Sequence, residues 1–217
     1  MKRISLFVVD DHPLVLIGLR DFLTAQRDMR VLGTETDPAR VTEAAARLKP
    51  DVLIVDLMMP GLSGLEVVSR VLEVRSVTRL VVLSMYSDVA YVAEALHRGA
   101  LGYVLKCAAP EDLLRAIRSV VRGVRYLSPP LSEDEIRRYV QRARQPGVEP
   151  YEMLTRRERE VLQLVARGET SAAIAARLGI GVRTVESHRA NLLGKLGVRN
   201  QAALVRYAIR HGLAPLE

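Results

Sequence analysis

The chain has 217 residues, 49% of them hydrophobic and 26% charged, with 32 Lys and Arg against 25 Asp and Glu and a formal net charge of +7. That length admits one large domain or two ordinary ones, each able to bury a core, and the composition is that of a soluble globular chain with no apolar run near the roughly 18 residues of a membrane span. A single cysteine, Cys107, excludes an internal disulfide and a cysteine-based zinc cage.

The N-terminal MKRISLFVVDD meets two aspartates before any cleavable apolar region develops, so it reads as a first strand rather than a signal peptide, and a cytoplasmic location is expected. Over residues 1–125, short apolar runs alternate with longer amphipathic ones. ISLFVV (4–9), VLGTE (31–35), VLIV (52–55), LVVLS (80–84) and GYVLK (102–106) read as strands. Helical periodicity fills about 13–26, where Val15, Leu19, Phe22 and Leu23 share a face, then about 38–48, 64–75, 88–98 and 110–122. Pro110 followed by Glu111 and Asp112 marks a helix start, because proline fits the first turn and acids favour the positive end of the dipole. Five βα units predict a doubly wound α/β domain. Its parallel sheet is covered on both faces and binds ligands beyond the carboxyl ends of the strands.

The chemistry collects at that end. Asp10 and Asp11 follow the first strand, Asp56 closes the third, Ser84 the fourth and Lys106 the fifth. Taken singly, each has an ordinary explanation: aspartates and serines cap helices, and a lysine is a solvated charge. Together, three carboxylates at one sheet edge repel one another unless a hard, oxygen-preferring cation sits among them. Mg²⁺ suits such a place, since it accepts a couple of carboxylates, keeps some waters and leaves a position for a phosphate oxygen. With the fixed charge of Lys106 alongside, the set fits a phosphoryl group on Asp56.

These residues, with MPGLSG at 59–64, resemble the receiver domain of bacterial response regulators over residues 3–122. The resemblance implies that Asp56 takes a phosphoryl group from a histidine kinase. It further implies that Asp11 ligates Mg²⁺ directly, that Asp10 does so mostly through water, and that the backbone carbonyl of Met58 completes the protein ligands. Ser84 and Lys106 would contact the phosphoryl group, and Tyr103 would be the switch aromatic that turns inward. Two other classes stand beside this one. A phosphatase-like enzyme with an aspartyl intermediate would need a second catalytic acid after Asp56, and none follows at that spacing; the expectation is a non-enzyme. An unphosphorylated dimerisation module would not need the intact set of Asp10, Asp11, Asp56, Ser84 and Lys106. Cys107 reads as a packing residue, with a redox-sensitive thiolate beside Lys106 as the alternative.

From residue 126 to 150 the pattern breaks into a linker holding a short polar helix, about 132–144, between Pro-containing turns. Beyond it the signal is helical throughout. Thr155 with Glu158 forms a capping box, with Leu154 placed as a hydrophobic staple. Thr170 caps a second helix ending near Gly179, a third runs over about 182–196, and a fourth covers about 200–210. Two helices joined by a short Gly-bearing turn predict a helix-turn-helix. Residues 151–217 hold 11 basic against 6 acidic residues, whereas 1–128 hold 17 against 15, so the positive excess lies where a polyanion such as DNA would bind. On the third helix Val185, Leu192 and Leu196 form an inward stripe. Arg183, Glu186, Ser187, Arg189 and Ala190 lie off it and can face a major groove.

LTRREREVLQLVARGETSAAIAARLGIGVRTVESHRANLLGKLGV (154–198) resembles the LuxR-type helix-turn-helix, and with the receiver makes a NarL/FixJ-type response regulator. The resemblance implies a cytoplasmic transcription factor that binds inverted half-sites in double-stranded DNA as a phosphorylated homodimer, with a cognate histidine kinase and RNA polymerase as further partners. It completes the DNA-contacting set with Thr184, His188 and Lys195, His188 through packing or a phosphate, and assigns a dimer contact to Leu204 and Tyr207. The sequence departs from the family at Gly181, where serine is common, at Glu186, where lysine is common, and at Ala172 and Ala173, where polar residues are common. Glutamate accepts a hydrogen bond from cytosine whereas lysine favours guanine or phosphate, so a different operator is expected.

Overall fold

The computed structural model describes residues 3–59, 62–143, 150–198, 200–211 and 213. The apolar runs form β1 (Ile4–Val9), β2 (Met29–Glu35), β3 (Val52–Asp56), β4 (Arg79–Ser84) and β5 (Gly102–Leu105). Their near-continuous apolar sequence has a direct cause. Helices cover both faces of the sheet, so a side chain pointing either way must be apolar, and Leu6, Val8, Leu53, Ile54, Leu80 and Val81 are all fully enclosed. The order is β2-β1-β3-β4-β5 and every pairing is parallel.

Helices α1 (Pro13–Thr24) and α5 (Pro110–Val121) bury Leu16, Leu23, Leu113 and Ile117 in one core with Leu6, Val8 and Ile54. A 3-10 turn at Pro38–Arg40 leads into α2 (Val41–Leu48), which neighbours α3 (Gly64–Val74), and α3 neighbours α4 (Val89–His97). Ser63 begins α3 with a full capping box to Glu66, and Asp88 caps α4. On α1 the enclosed positions are Leu16 and Leu23; Val15, Leu19 and Phe22 of the expected face are half-buried around them.

The segment expected to be linker begins as part of the sheet. A sixth strand, β6 (Tyr126–Leu127), pairs in parallel with β5, placing Tyr126 opposite Gly102 and Leu127 opposite Tyr103. Ser128 then donates its N–H to the Tyr103 carbonyl at 3.0 Å and accepts the Leu105 N–H on its Oγ at 2.9 Å, fully enclosed. Pro129 and Pro130 have no N–H to offer, so the pairing stops there. The Tyr126 hydroxyl donates to Asp112 at 2.6 Å, tying this strand to α5. Helix α6 (Glu133–Ala143) follows, and residues 144–149 of the expected linker lie outside the described residues.

The chain divides into two compact units between Arg137 and Arg138. In the second, a 3-10 turn at Pro150–Met153 precedes α7 (Arg156–Ala166), α8 (Ser171–Leu178), α9 (Val182–Lys195) and α10 (Gln201–Arg210). Thr155 accepts the Glu158 N–H while Glu158 accepts the Thr155 N–H, and Thr170 caps α8. Gly179, at φ +65°, ends α8 in the left-handed conformation that glycine adopts without strain. Leu154, Val161, Ile174, Val185, Leu192 and Ala208 form the apolar core. Among the described residues no helix is long and apolar enough to cross a membrane.

Replacing Ser128 by Ala strands the Leu105 N–H in the interior without an acceptor. The expected loss is about 1–3 kcal/mol, read by urea unfolding with amide exchange at Leu105 rising in parallel. An unchanged midpoint would mean that the segment after β6 is not integral to the sheet.

Candidate functional site

α1 packs on one face of the sheet beside α5, so the connection after β1 and the connection after β3 diverge and open a crevice at the carboxyl ends of these strands. Asp10 and Asp56 stand there, 1% and 6% exposed. From the end of β5, Lys106 reaches both: its Nζ lies 2.7 Å from Asp10 Oδ2 and 3.0 Å from Asp56 Oδ2. The Lys106 N–H donates to the Ser84 carbonyl at 2.7 Å, which fixes the strand end from which the ammonium extends.

Asp10 and Asp11 do not cap α1, whose first turn has His12 at its cap and no side-chain cap bond. Asp10 Oδ1 instead accepts the His12 N–H at 2.9 Å, and His12 Nδ1 lies 3.1 Å from that oxygen and 2.9 Å from Asp11 Oδ1. Asp11 Oδ1 is buried, with the His12 imidazole beside it. Ligand atoms from Asp10, Asp11, His12 and Asp56 all fall within 4.8 Å of one another. Three carboxylates brought together, with Lys106 on Asp10 and Asp56 and His12 on Asp10 and Asp11, are a set of hard donors that a divalent cation fits.

Burial drives Asp56 upward from its ordinary value of 3.8 to about 6; Lys106 opposes this, the Asp10 charge adds to it, and a Met58 N–H hydrogen bond opposes it. Burial acts to lower the Lys106 pKa, but the Asp56 and Asp10 charges outweigh it and the value is raised. The loop after Asp56 returns tightly. Gly64 donates its N–H to the Leu57 carbonyl at 2.9 Å, and a Cβ at this position would overlap the Asp56 carbonyl oxygen. Pro60 and Gly61 of the MPGLSG loop lie outside the described residues.

Ser84 is fully enclosed and accepts the Tyr86 N–H at 3.1 Å. The Tyr103 hydroxyl donates to the Tyr86 carbonyl at 2.7 Å, burial raises its pKa, and a hydrogen bond with Ser84 opposes that rise. The resemblance implies a ring that turns inward; in this structure Tyr103 is already inside, 0% exposed. Cys107 is exposed and so does not pack, contrary to the sequence reading.

In the second unit, Val185, Leu192 and Leu196 are buried in the core, and Arg183, Glu186 and Ala190 are exposed. Thr184, Ser187 and Arg189 are half-buried, Arg189 donating from Nη1 to Ser171 Oγ at 2.6 Å. Two expected contacts, Lys195 and Leu204, need correction, and for His188 the packing alternative stands. His188 is fully enclosed, and burial, aided by the charges of Arg157 and Lys195, pushes its pKa down to about 4, so it is a neutral core residue and not a phosphate contact. Lys195 Nζ lies 2.9 Å from Oε2 of the fully enclosed Glu158, and a charge held there serves the fold rather than DNA. Leu204 is 1% exposed in the core of its own unit, which removes it as a dimer contact; half-buried Tyr207 stacks on His211 with centroids 4.2 Å apart.

The family described as "Response regulator receiver domain" matches residues 6–118, and "Bacterial regulatory proteins, luxR family" matches residues 152–208. The chain belongs to the LuxR-type response regulators. This response regulator is 36% identical over 213 residues to the oxygen regulatory protein NreC of Staphylococcus aureus (strain JH9), spanning 96% of this chain and 98% of that one. A solved complex of the two-component response regulator RcsB with DNA matches with TM-score 0.57 at 28% identity, covering 96% of this chain and 98% of that one. RcsB from Salmonella enterica serovar Typhimurium, bound to promoter P1flhDC with the phosphomimetic BeF3-, matches with TM-score 0.59 at 29% identity over 95% of this chain and 98% of that one. The response regulator thus couples a receiver to a DNA-binding unit that regulates transcription.

Two measurements address the charged residues. The Asp56 pKa is higher folded than unfolded, so its burial favours folding below pH 4 and that contribution is lost as pH rises through about 6. In metal-free buffer, Asp56→Asn should therefore be about 1–3 kcal/mol more stable than wild type at pH 7.5 by urea unfolding, the gap closing towards pH 4. Lys195→Ala leaves Glu158 buried and unpaired and should cost about 3 kcal/mol. A Lys195 that contacted phosphate would instead lower the slope of log affinity against log salt by about 1.

Proposed function

We propose that Asp56 is the phosphoacceptor of this response regulator, and that its phosphorylation by a histidine kinase controls dimerisation and operator binding by the second unit. The observation that carries this reading is the Lys106 ammonium shared between Asp10 and Asp56 at the mouth of the β1/β3 crevice. Residues 1–125, extended by β6, act as receiver, 126–150 connect, and 151–217 bind double-stranded DNA carrying inverted half-sites.

With a folded pKa of about 6, Asp56 is mainly ionised at neutral pH and available as a nucleophile. One carboxylate oxygen is held by Lys106 at 3.0 Å, which orients the group. The other oxygen attacks phosphorus; the new P–O bond forms as the P–N bond of the kinase phosphohistidine breaks, and the departing imidazole takes its proton from solvent. Asp10, Asp11 and Asp56, with the Met58 carbonyl, would hold Mg²⁺, which when bound neutralises charge on the phosphoryl oxygens. Lys106 then contacts the phosphoryl group as a point charge, and the Ser84 hydroxyl turns to donate to it. Drawing Ser84 away alters its bond with Tyr103, and Tyr103 is bound in turn to the Tyr86 carbonyl at the start of the connection to α4. That sequence carries the signal to the α4, β5 and α5 surface. The acceptor is regenerated by hydrolysis, so the receiver is a switch and not an enzyme for a diffusible substrate.

The reading is tested by fluorescence anisotropy at fixed salt on a duplex taken from a selected random library. Acetyl phosphate with Mg²⁺ should tighten binding by wild type tenfold or more and leave Asp56→Ala unchanged. Equal binding by both proteins with and without phosphodonor would reassign the receiver as an unphosphorylated docking module.

A further inference from the structure

We infer that α9 reads its half-site through a strip without a basic side chain, Val182, Glu186, Ala190 and Gly194, which selects cytosine flanked by thymine on the contacted strand. The inference rests on the DNA-binding reading and names the chemistry of its ligand.

The four positions are spaced four apart, one ridge of an α-helix. All four are exposed. Val182 is 43% exposed, so its methyl groups are open to a partner. A Cβ added at Gly194 would meet nothing within 4 Å, so the end of the strip is open to close approach.

The basic groups of the same helix are engaged elsewhere. Arg189 reaches across to Ser171 at 2.6 Å, Lys195 is paired with Glu158 at 2.9 Å, and His188 is enclosed in the core. Arg183 is exposed but stands about 100° round the helix from Val182, at the border of the strip, where a phosphate is within reach of its long side chain.

A carboxylate only accepts hydrogen bonds. In the major groove guanine presents two acceptors, which repel it, and adenine sets an acceptor beside its donor; cytosine presents the N4 amine. Glu186 therefore favours cytosine and penalises guanine, the reverse of a lysine or arginine at that position. The same carboxylate is repelled by phosphates, which turns the strip towards the base edges. Val182 and Ala190 offer methyl groups on either side of Glu186, and the complementary base feature is the thymine methyl. Four helical residues rise about 6 Å, so neighbouring contacts fall roughly one to two base-pair steps apart.

The test is selection from a random duplex library by the full-length protein with acetyl phosphate and Mg²⁺, followed by anisotropy titrations on the enriched site. Changing the cytosine pair to guanine should weaken wild type tenfold or more. Replacing each flanking thymine by uracil, which removes only the methyl, should weaken it several-fold. Val182→Gly, which removes the methyl groups, should abolish the uracil effect on one side of the cytosine, and Glu186→Lys should move the enriched base from cytosine to guanine. An enriched site indifferent to uracil, or one whose cytosine preference survives in Glu186→Ala, would overturn the inference while leaving sequence-specific binding intact. Absence of any enriched sequence would remove the DNA-binding reading and this inference with it.

Discussion

One ammonium between two buried carboxylates is the constraint from which the first unit is organised. Lys106 extends from β5 across the ends of three strands to Asp10 beyond β1 and Asp56 on β3. Enclosed carboxylates of like charge cannot sit at a sheet edge without a compensating cation, and the ammonium supplies only part of what is needed. The remainder appears as an Asp56 carboxyl displaced to about 6. A fully neutralised cluster would be more stable and chemically inert. The deficit leaves a cluster of oxygen donors that a cation fits.

The second unit uses the same chemical pair to the opposite end. Glu158 and Lys195 are one carboxylate and one ammonium, and the carboxylate also closes the capping box of α7. The charge balance is one to one, so the pair joins the first turn of α7 to the last turn of α9 and holds α9 at a fixed place on its own core. The contrast explains why a lysine in a DNA-binding unit need not be there for DNA. Its partner decides its role.

Much of this was legible in the sequence, and the reasons for what was not are local. Strand runs such as VLIV announce themselves because both faces of a parallel sheet are covered, and the strand-end residues Asp10, Asp56, Ser84 and Lys106 come to one edge whenever all strands point the same way. β6 has two residues, too few to show any period. The pairing of Lys195 with Glu158 spans 37 residues, and no local pattern encodes it. His188 is different: it lies three residues after Val185 and four before Leu192, so helical spacing places it on the inward stripe and favours packing over a phosphate contact. Leu204 likewise precedes the buried Ala208 by four. The inward position of Tyr103 depends on a rotamer, which sequence does not encode.

The two-residue strand has a consequence for how the sheet meets water. Without it, β5 would be the outermost strand, presenting free N–H and C=O groups beside an apolar run, a template on which another chain could polymerise. Tyr126 and Leu127 occupy that border, Ser128 ties off the last amide, and two prolines then refuse any further neighbour. A fragment ending at Arg125 would keep Asp10, Asp11, Asp56, Ser84 and Lys106 and lose its guard against aggregation. The segment that leads away from the receiver is also its hem.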